Sequence, residues 1–291
     1  MKILRIASLI LFLLTVIAFG SYRRIESKSK DTLGPEITYE SDGIEVSVNA
    51  PVEELLKGVT AIDDRDGNVS DSILIEKISR FTDTGNRTIT YAAFDLNNNI
   101  TKVERELGYN DYTSPRFVLS QPLRFPVGDT DNIVKYMTVQ DSLDGDLTDK
   151  IKYEGIKYGF GQSEGTYDIE FQVTNSAGDT SYLPAKVEFY YSGYQNQEYL
   201  PKIHLSDYIV YIKAGDSMDP KAYLTEVTIG QKRYSFQEGF NPGAVSTISK
   251  NEIKVNSNVN VRISGVYDIE YSFTTEDGYT GVTRLLVVVE E

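Results

Sequence analysis

The residues best suited to chemistry are aspartates crowded into two turns. Val59-Thr-Ala-Ile-Asp-Asp-Arg-Asp-Gly-Asn-Val-Ser-Asp71 holds Asp63, Asp64, Asp66 and Asp71. Met137-Thr-Val-Gln-Asp-Ser-Leu-Asp-Gly-Asp-Leu-Thr-Asp149 holds Asp141, Asp144, Asp146 and Asp149. Two chemistries suit them. Asp-Gly and Asp-x-x-Thr are turn and cap signatures, in which a short polar side chain bonds its own backbone. The alternative is weak calcium binding, because calcium takes about six to eight oxygens and such a turn offers several. Neither turn is an EF-hand: the glycine, the spacing and the terminal Glu all differ. If calcium binds, the second turn is expected to hold it more tightly, since Asp141, Asp144, Asp146 and Asp149 gather around Gly145. The first turn has neutral Asn68 after Gly67 and carries Arg65, whose charge repels a cation. Paired carboxylates also suggest a glycosidase, but a catalytic pair is not expected to recur in consecutive repeats.

The remaining candidates are few. His204 is the sole histidine, with no Ser or Cys partner to suggest a triad. Tyr190, Tyr191, Tyr194 and Tyr199 cluster in one stretch. Exposed tyrosines stack on sugars and anchor protein interfaces, so this is either a ligand platform or packing between domains. With no Cys, thiol chemistry and Cys-ligated zinc are excluded, as is an inter-sheet disulfide. A net charge of −14 argues against a nucleic-acid partner, which needs a basic face, and against docking on anionic lipid. No cofactor is expected beyond possible calcium.

The elements that must position these residues are written three times. Gly165-Thr-Tyr-Asp-Ile-Glu-Phe-Gln-Val-Thr-Asn-Ser-Ala-Gly178 alternates Tyr167, Ile169, Phe171 and Val173 with polar residues. That period of two predicts a half-buried strand, and Asn175 to Gly178 a hairpin turn. Equivalent text begins at Gly85 and at Gly265, a spacing too long for a solenoid unit and right for a small domain. The expected fold is all-β: three tandem Ig-like β-sandwiches after an N-terminal hydrophobic helix. Residues 34–110, 113–192 and 200–291 are the three domains, and 23–33 a flexible stalk. Domain one is expected to have about seven strands, with one helical turn near Val52 to Lys57.

Domains one and two share the acidic turn followed by the hairpin, written Gly85-x-Arg87-x-Ile89-x-Tyr91 and Gly165-x-Tyr167-x-Ile169-x-Phe171; domain three keeps the hairpin as Gly265-x-Tyr267-x-Ile269-x-Tyr271 and has Thr225-Glu-Val-Thr-Ile-Gly230 in place of the turn. This combination resembles the bacterial surface Ig-like family, also called DUF5011 or the pesticidal crystal protein Ig-like domain. The family pattern is an Asp-x-x-Asp-Gly-Asp-Ile-Thr turn, then Gly-x-Tyr-x-Val-x-Tyr and an Asp-x-x-Gly-Asn turn. The resemblance covers about half the chain and implies tandem sandwiches displayed at a bacterial surface as spacers or binding modules, without catalysis. The Gly-x-Tyr also resembles the tyrosine corner of Ig folds, with Tyr167 and Tyr267 in place and Arg87 replacing the tyrosine in domain one.

At the amino terminus, Lys2 and Arg5 precede an apolar run from Ile6 to Gly20, broken by Ser8 and Thr15. Its length lies between a signal-peptide core and a membrane span. Residues 1–22 are a signal-anchor, tethered through residues 6–22, or a signal peptide cleaved after Gly20 within Ala18-Phe-Gly20. Arg23 and Arg24 beside that site favour the anchor. Both readings make the domains extracytoplasmic. The function expected is a non-enzymatic, membrane-tethered scaffold, spacer or adhesion module with an unknown protein or glycan ligand. The alternative is a carbohydrate-binding accessory of cell-envelope polysaccharide or peptidoglycan machinery.

Overall fold

A computed structural model describes residues 2–29, 31–154, 159–193, 197–236 and 246–291. The chain divides into two compact units, residues 1–112 and 113–291.

The first unit begins with α1 (Lys2–Ser29). Helix is the only way a run of leucines, isoleucines and phenylalanines without strand neighbours satisfies its own backbone. Leu9, Leu11, Phe12, Leu14, Ile17 and Phe19 are all exposed on it. Among the described residues no helix is long and apolar enough to cross a membrane. The sandwich follows: β1 (Glu36–Tyr39), β2 (Gly43–Val46), α2 (Val52–Leu55), β3 (Val59–Asp63), β4 (Gly67–Asn68), β5 (Leu74–Ile78), β6 (Arg87–Phe94) and β7 (Ile100–Tyr109). One sheet has the order β1-β3-β4 and the other β2-β7-β6-β5. β2 lies parallel to β7. Ile37, Val59 and Ala61 from the first sheet and Ile89, Tyr91, Ala93 and Leu107 from the second share one core. The expected seven strands and single helical turn are all present, the turn being α2 at Val52–Leu55.

The second unit contains two more copies of this plan. The earlier is β8 (Arg116–Leu119), β9 (Arg124–Pro126), β10 (Met137–Asp141), β11 (Gly145–Asp146), β12 (Lys152–Glu154), β13 (Gly165–Thr174) and β14 (Thr180–Tyr190). The later is β15 (Lys202–Leu205), β16 (Ile209–Lys213), β17 (Leu224–Ile229), β18 (Lys232–Ser235), β19 (Ser246–Thr247), β20 (Lys254–Ser257), β21 (Gly265–Thr274) and β22 (Thr280–Glu290). Their sheets are β11-β10-β8 with β12-β13-β14-β9, and β15-β17-β18-β19 with β16-β22-β21-β20. In each the second strand again runs parallel to the last, β9 to β14 and β16 to β22. Three sandwiches of one plan, the third with β19 added to its first sheet, therefore follow α1, and the all-β expectation holds.

Among the described residues, the repeated hairpins are the longest strand pairs. On β13 Ile169, Phe171 and Val173 are buried, alternating with exposed Asp168, Glu170 and Thr174 and half-buried Gln172, as the period of two dictates. The hairpin turns need a left-handed residue, supplied by Gly178 (φ 86°), Gly278 (φ 87°) and, in the first sandwich, Asn98 (φ 63°). Asn is the side chain that tolerates this conformation best after Gly.

The second and third sandwiches share one continuous core. Their join is polar and aromatic as well. Arg116 on β8 grips Glu290 on β22 with two bonds, Nε–Oε1 at 3.1 Å and Nη2–Oε2 at 2.5 Å. Its guanidinium lies 5.0 Å from the Tyr211 ring centre. Tyr211 Oη accepts from Phe117 N (2.8 Å) and donates to Phe117 O (3.2 Å), satisfying both backbone groups of one residue on the edge strand β8. Burial pushes the Tyr211 hydroxyl up to about 12, so it stays a donor. Lys186 on β14 bonds Asp268 on β21 at 3.2 Å.

Candidate metal centre

The acidic turn of the first sandwich connects β3 to β4. Asp63 ends β3 and its Oδ1 accepts from the backbone N–H of Arg65 and of Asp66, each at 2.9 Å. An aspartate bonding its own backbone two and three residues on is the Asx-turn chemistry expected of this segment. Gly67 supplies the left-handed residue that lets the strand reverse (φ 74°). Asp66 Oδ2 then reaches across to accept from Leu96 N at 2.8 Å, tying this turn to the β6–β7 hairpin turn. In that second turn Asp95 Oδ1 accepts from Asn97 N and Asn99 N, and Oδ2 from Asn99 Nδ2. Burial pushes the Asp95 carboxyl up, but the bonds from Asn99 and Asn97 outweigh it and hold it below the usual carboxylate range. Asp31, two residues past the end of α1, completes the group. Its Oδ1 accepts from Leu33 N at 3.2 Å.

Asp31, Asp63, Asp66 and Asp95 each place a carboxylate oxygen within 4.8 Å of all the others. Asp31, Asp63 and Asp95 are 6%, 4% and 2% exposed. Asp63 Oδ2 is sealed from solvent and has no hydrogen-bond partner. Among the described residues, the cation paired with the group is Arg65, whose Nε stands 3.9 Å from Asp31 Oδ2.

The matching place in the second sandwich is built differently. Asp141 Oδ1 accepts from Leu143 N and Asp144 N, the same turn. Asp144 accepts from Ser176 N and Ser176 Oγ across the hairpin. Asn175 stands where the first sandwich has Asp95, and its Nδ2 donates to Asp141 Oδ2 at 3.2 Å. The oxygen orphaned in the first sandwich is thus satisfied in the second. Asp146 Oδ1 accepts from Thr148 N and Oγ1; these bonds hold its carboxyl below the ordinary range. Asp149 is exposed, and Lys150 Nζ lies 4.0 Å from Asp144. Asp141, Asp144, Asp146 and Asp149 do not converge: among the described residues, the converging group lies in the first sandwich. Asp64 and Asp71 stay outside it, both exposed. In the third sandwich β17 and β18 turn through Gly230 with no acidic cluster, and Thr275 occupies the hairpin position of Asp95.

Sequence reading missed Asp31 and Asp95. Asp95 had a signal, since it is the first residue of a hairpin turn occupied by Asn175 and Thr275 in the other repeats. Asp31 had none, because only the fold brings the connector after α1 against the turns.

The other candidates separate. Tyr190 is half-buried under the Arg124 guanidinium, 4.5 Å from its ring centre, and lines a cleft of about 580 Å³ with Pro201, Ile203 and His204. Tyr199 stacks on Tyr279 with ring centres 5.7 Å apart and lines a different cleft of about 750 Å³. Tyr191 is exposed, and Tyr194 lies outside the described residues. His204 Nε2 shares a 2.9 Å hydrogen bond with Thr228 Oγ1 across β15 and β17.

No protein family and no curated protein matches the chain by sequence. Solved structures with distant likeness include the M60 catalytic domain with two CBM51 domains of Clostridium perfringens ZmpB. It is 10% identical, with a TM-score of 0.23 over 89% of this chain and 31% of that one. Cadherin domains 1–5 of protocadherin gamma B2 give 11% identity and a TM-score of 0.18 over 90% of this chain and 61% of that one. The lipoprotein BT2262 of Bacteroides thetaiotaomicron gives 14% and 0.19 over 86% of this chain and 99% of that one. This chain spans about a third of the ZmpB structure's length and under two thirds of the protocadherin's.

Proposed function

We propose that the chain is a non-enzymatic extracytoplasmic scaffold or spacer, carried on a membrane by α1. The observation that carries this reading is the join between the second and third sandwiches. A shared core, the Arg116–Glu290 pair and the Tyr211 clamp on Phe117 make two repeats into one body, as a spacer requires. Two features support the setting. The exposed apolar surface of α1 from Leu9 to Phe19 calls for an apolar environment. The paired acidic turn and Gly-x-Tyr hairpin resemble bacterial surface Ig-like domains, which are displayed in tandem. The test is fractionation of cells making the full chain. Recovery in the membrane fraction, with protease access to the sandwiches in intact cells, is expected. Free protein in the medium beginning at Ser21 makes it a secreted form, and protection from protease in intact cells overturns the reading.

The cleft at Tyr199 favours a second reading, carbohydrate binding. Tyr199, Tyr234 and Phe273 line it beside Glu198, Glu276 and Asp277, an aromatic surface flanked by hydrogen-bonding carboxylates. Retention of the full chain on a glycan array, lost in Tyr199→Ala, would favour it over a plain spacer.

A further inference from the structure

We propose that Asp31, Asp63, Asp66 and Asp95 form a calcium site that clamps the connector after α1 onto the first sandwich. The proposal stands apart from the scaffold reading.

Four carboxylates within 4.8 Å of one another match the size of a calcium coordination sphere. Oxygens about 2.3–2.6 Å from a calcium ion lie roughly 5 Å apart when opposite, whereas magnesium at about 2.0–2.1 Å draws them to roughly 4 Å. Used singly or in pairs, these side chains offer most of the oxygens calcium takes. Charge points the same way. Among the described residues, the cation paired with these three buried carboxylates and half-buried fourth is Arg65, at 3.9 Å from a single member. Buried charge of one sign is costly without a counter-charge, and a divalent cation at the centre offsets it. The orphan atom is the independent sign. Asp63 Oδ2 is sealed, and no hydrogen-bond donor fills the place that Asn175 Nδ2 fills in the second sandwich. Asp95, unlike Asn, has no proton to give at neutral pH.

The ligands come from three separated parts of the chain. Asp63 and Asp66 flank one turn, Asp95 opens the opposite hairpin turn, and Asp31 sits beside α1. One ion therefore cross-links both sheets of the sandwich to the connector. Without it, Asp31 is held by Leu33 N and by the long contacts of Asn97 and Arg65.

The test is calorimetric titration of the full chain with calcium chloride, paired with terbium luminescence sensitised by tyrosine. One calcium per chain is expected, displaced by EGTA and at least tenfold tighter than magnesium. Asp95→Asn, which installs the residue the second sandwich already carries, should abolish binding while leaving the circular dichroism spectrum unchanged. Asp31→Asn, outside the strands, should weaken it at least tenfold. Asp141→Asn with Asp144→Asn should leave it intact. Calcium should also slow tryptic cleavage after Lys28 in the wild type and not in Asp31→Asn. No binding by the wild type overturns the proposal. So does binding that survives Asp95→Asn and Asp31→Asn, or binding lost with Asp141 and Asp144. Equal affinity for magnesium overturns the choice of ion.

Discussion

Tyrosine hydroxyls do much of the local closing of these sandwiches. Tyr167 Oη reaches Ser163 O at 3.2 Å and Ser163 Oγ at 3.0 Å, and Tyr267 Oη donates to Ile263 O at 2.9 Å. Each bonds the chain four residues back, as a tyrosine corner does. Arg87 does the equivalent work in the first sandwich through Nε to Ser79 O at 2.6 Å, flanked by Phe81 and Tyr109. Deeper in, Tyr91 donates to Leu55 O and Tyr271 to Pro220 O, where the second sandwich has Phe171 and no such bond. Tyr271→Phe leaves a carbonyl without its donor and should cost about 1–3 kcal/mol. Tyr167→Phe, at an exposed corner, should cost about 1 kcal/mol or less. Thermal melts of the full chain rank the two, and equal losses would contradict the burial argument. His204 has a pH consequence. Burial, with Lys202 and Arg233 nearby and Glu226 opposing them, holds its imidazole below the ordinary 6.5. The unfolded chain therefore takes up a proton before the folded one, so this stability is full above about pH 6.5 and drains away as pH falls through the folded value. His204→Gln should flatten the decline in melting temperature between about pH 7 and 5.

At the scale of elements, close approach decides which residues a strand tolerates. Gly281 lies in β22 where the Pro201 carbonyl crosses it. A Cβ there would stand 1.7 Å from Pro201 O and 2.7 Å from its carbon. Both are backbone atoms, so no side-chain rotation relieves the clash. Gly281→Ala should destabilise the second unit by about 1–3 kcal/mol, or roughly 2–10 °C in melting temperature. Gly43→Ala on β2, whose Cβ would meet only Glu106 at 3.9 Å or more, should be close to neutral. The hairpins β6–β7, β13–β14 and β21–β22 pair locally, while β2, β9 and β16 must find the last strand of their sandwich from far along the chain. Such non-local parallel pairing carries a loop-closure cost and is expected to form late in folding.

For the whole molecule, the consequence lies in how sandwiches two and three are coupled. Arg116, Glu290 and Tyr211 stand where the two copies meet, and neither copy alone covers the edge at Phe117. Arg116→Ala with Tyr211→Phe removes the paired carboxylate contact and both Phe117 bonds. The two sandwiches should then unfold in separate transitions by calorimetry, where the wild type is expected to unfold them as one. A single transition in the double variant would place the coupling in the shared core instead.

Alternation of apolar and polar residues around Gly85, Gly165 and Gly265 was enough to place the hairpins, the repeat and the all-β class, because a strand's period of two is written locally. The acidic turns were legible as turns for the same reason: Asp63 and Asp141 bond N–H groups two and three residues on. What those turns can hold was not legible. Their sequences favour the second, with four aspartates around Gly145, yet Asp146 and Asp149 point to their own backbone or to solvent. The first gains Asp95 from a hairpin some thirty residues away and Asp31 from the connector after α1. A metal site depends on which oxygens share a few ångströms of space, and only the packing of one sheet against the other sets that distance.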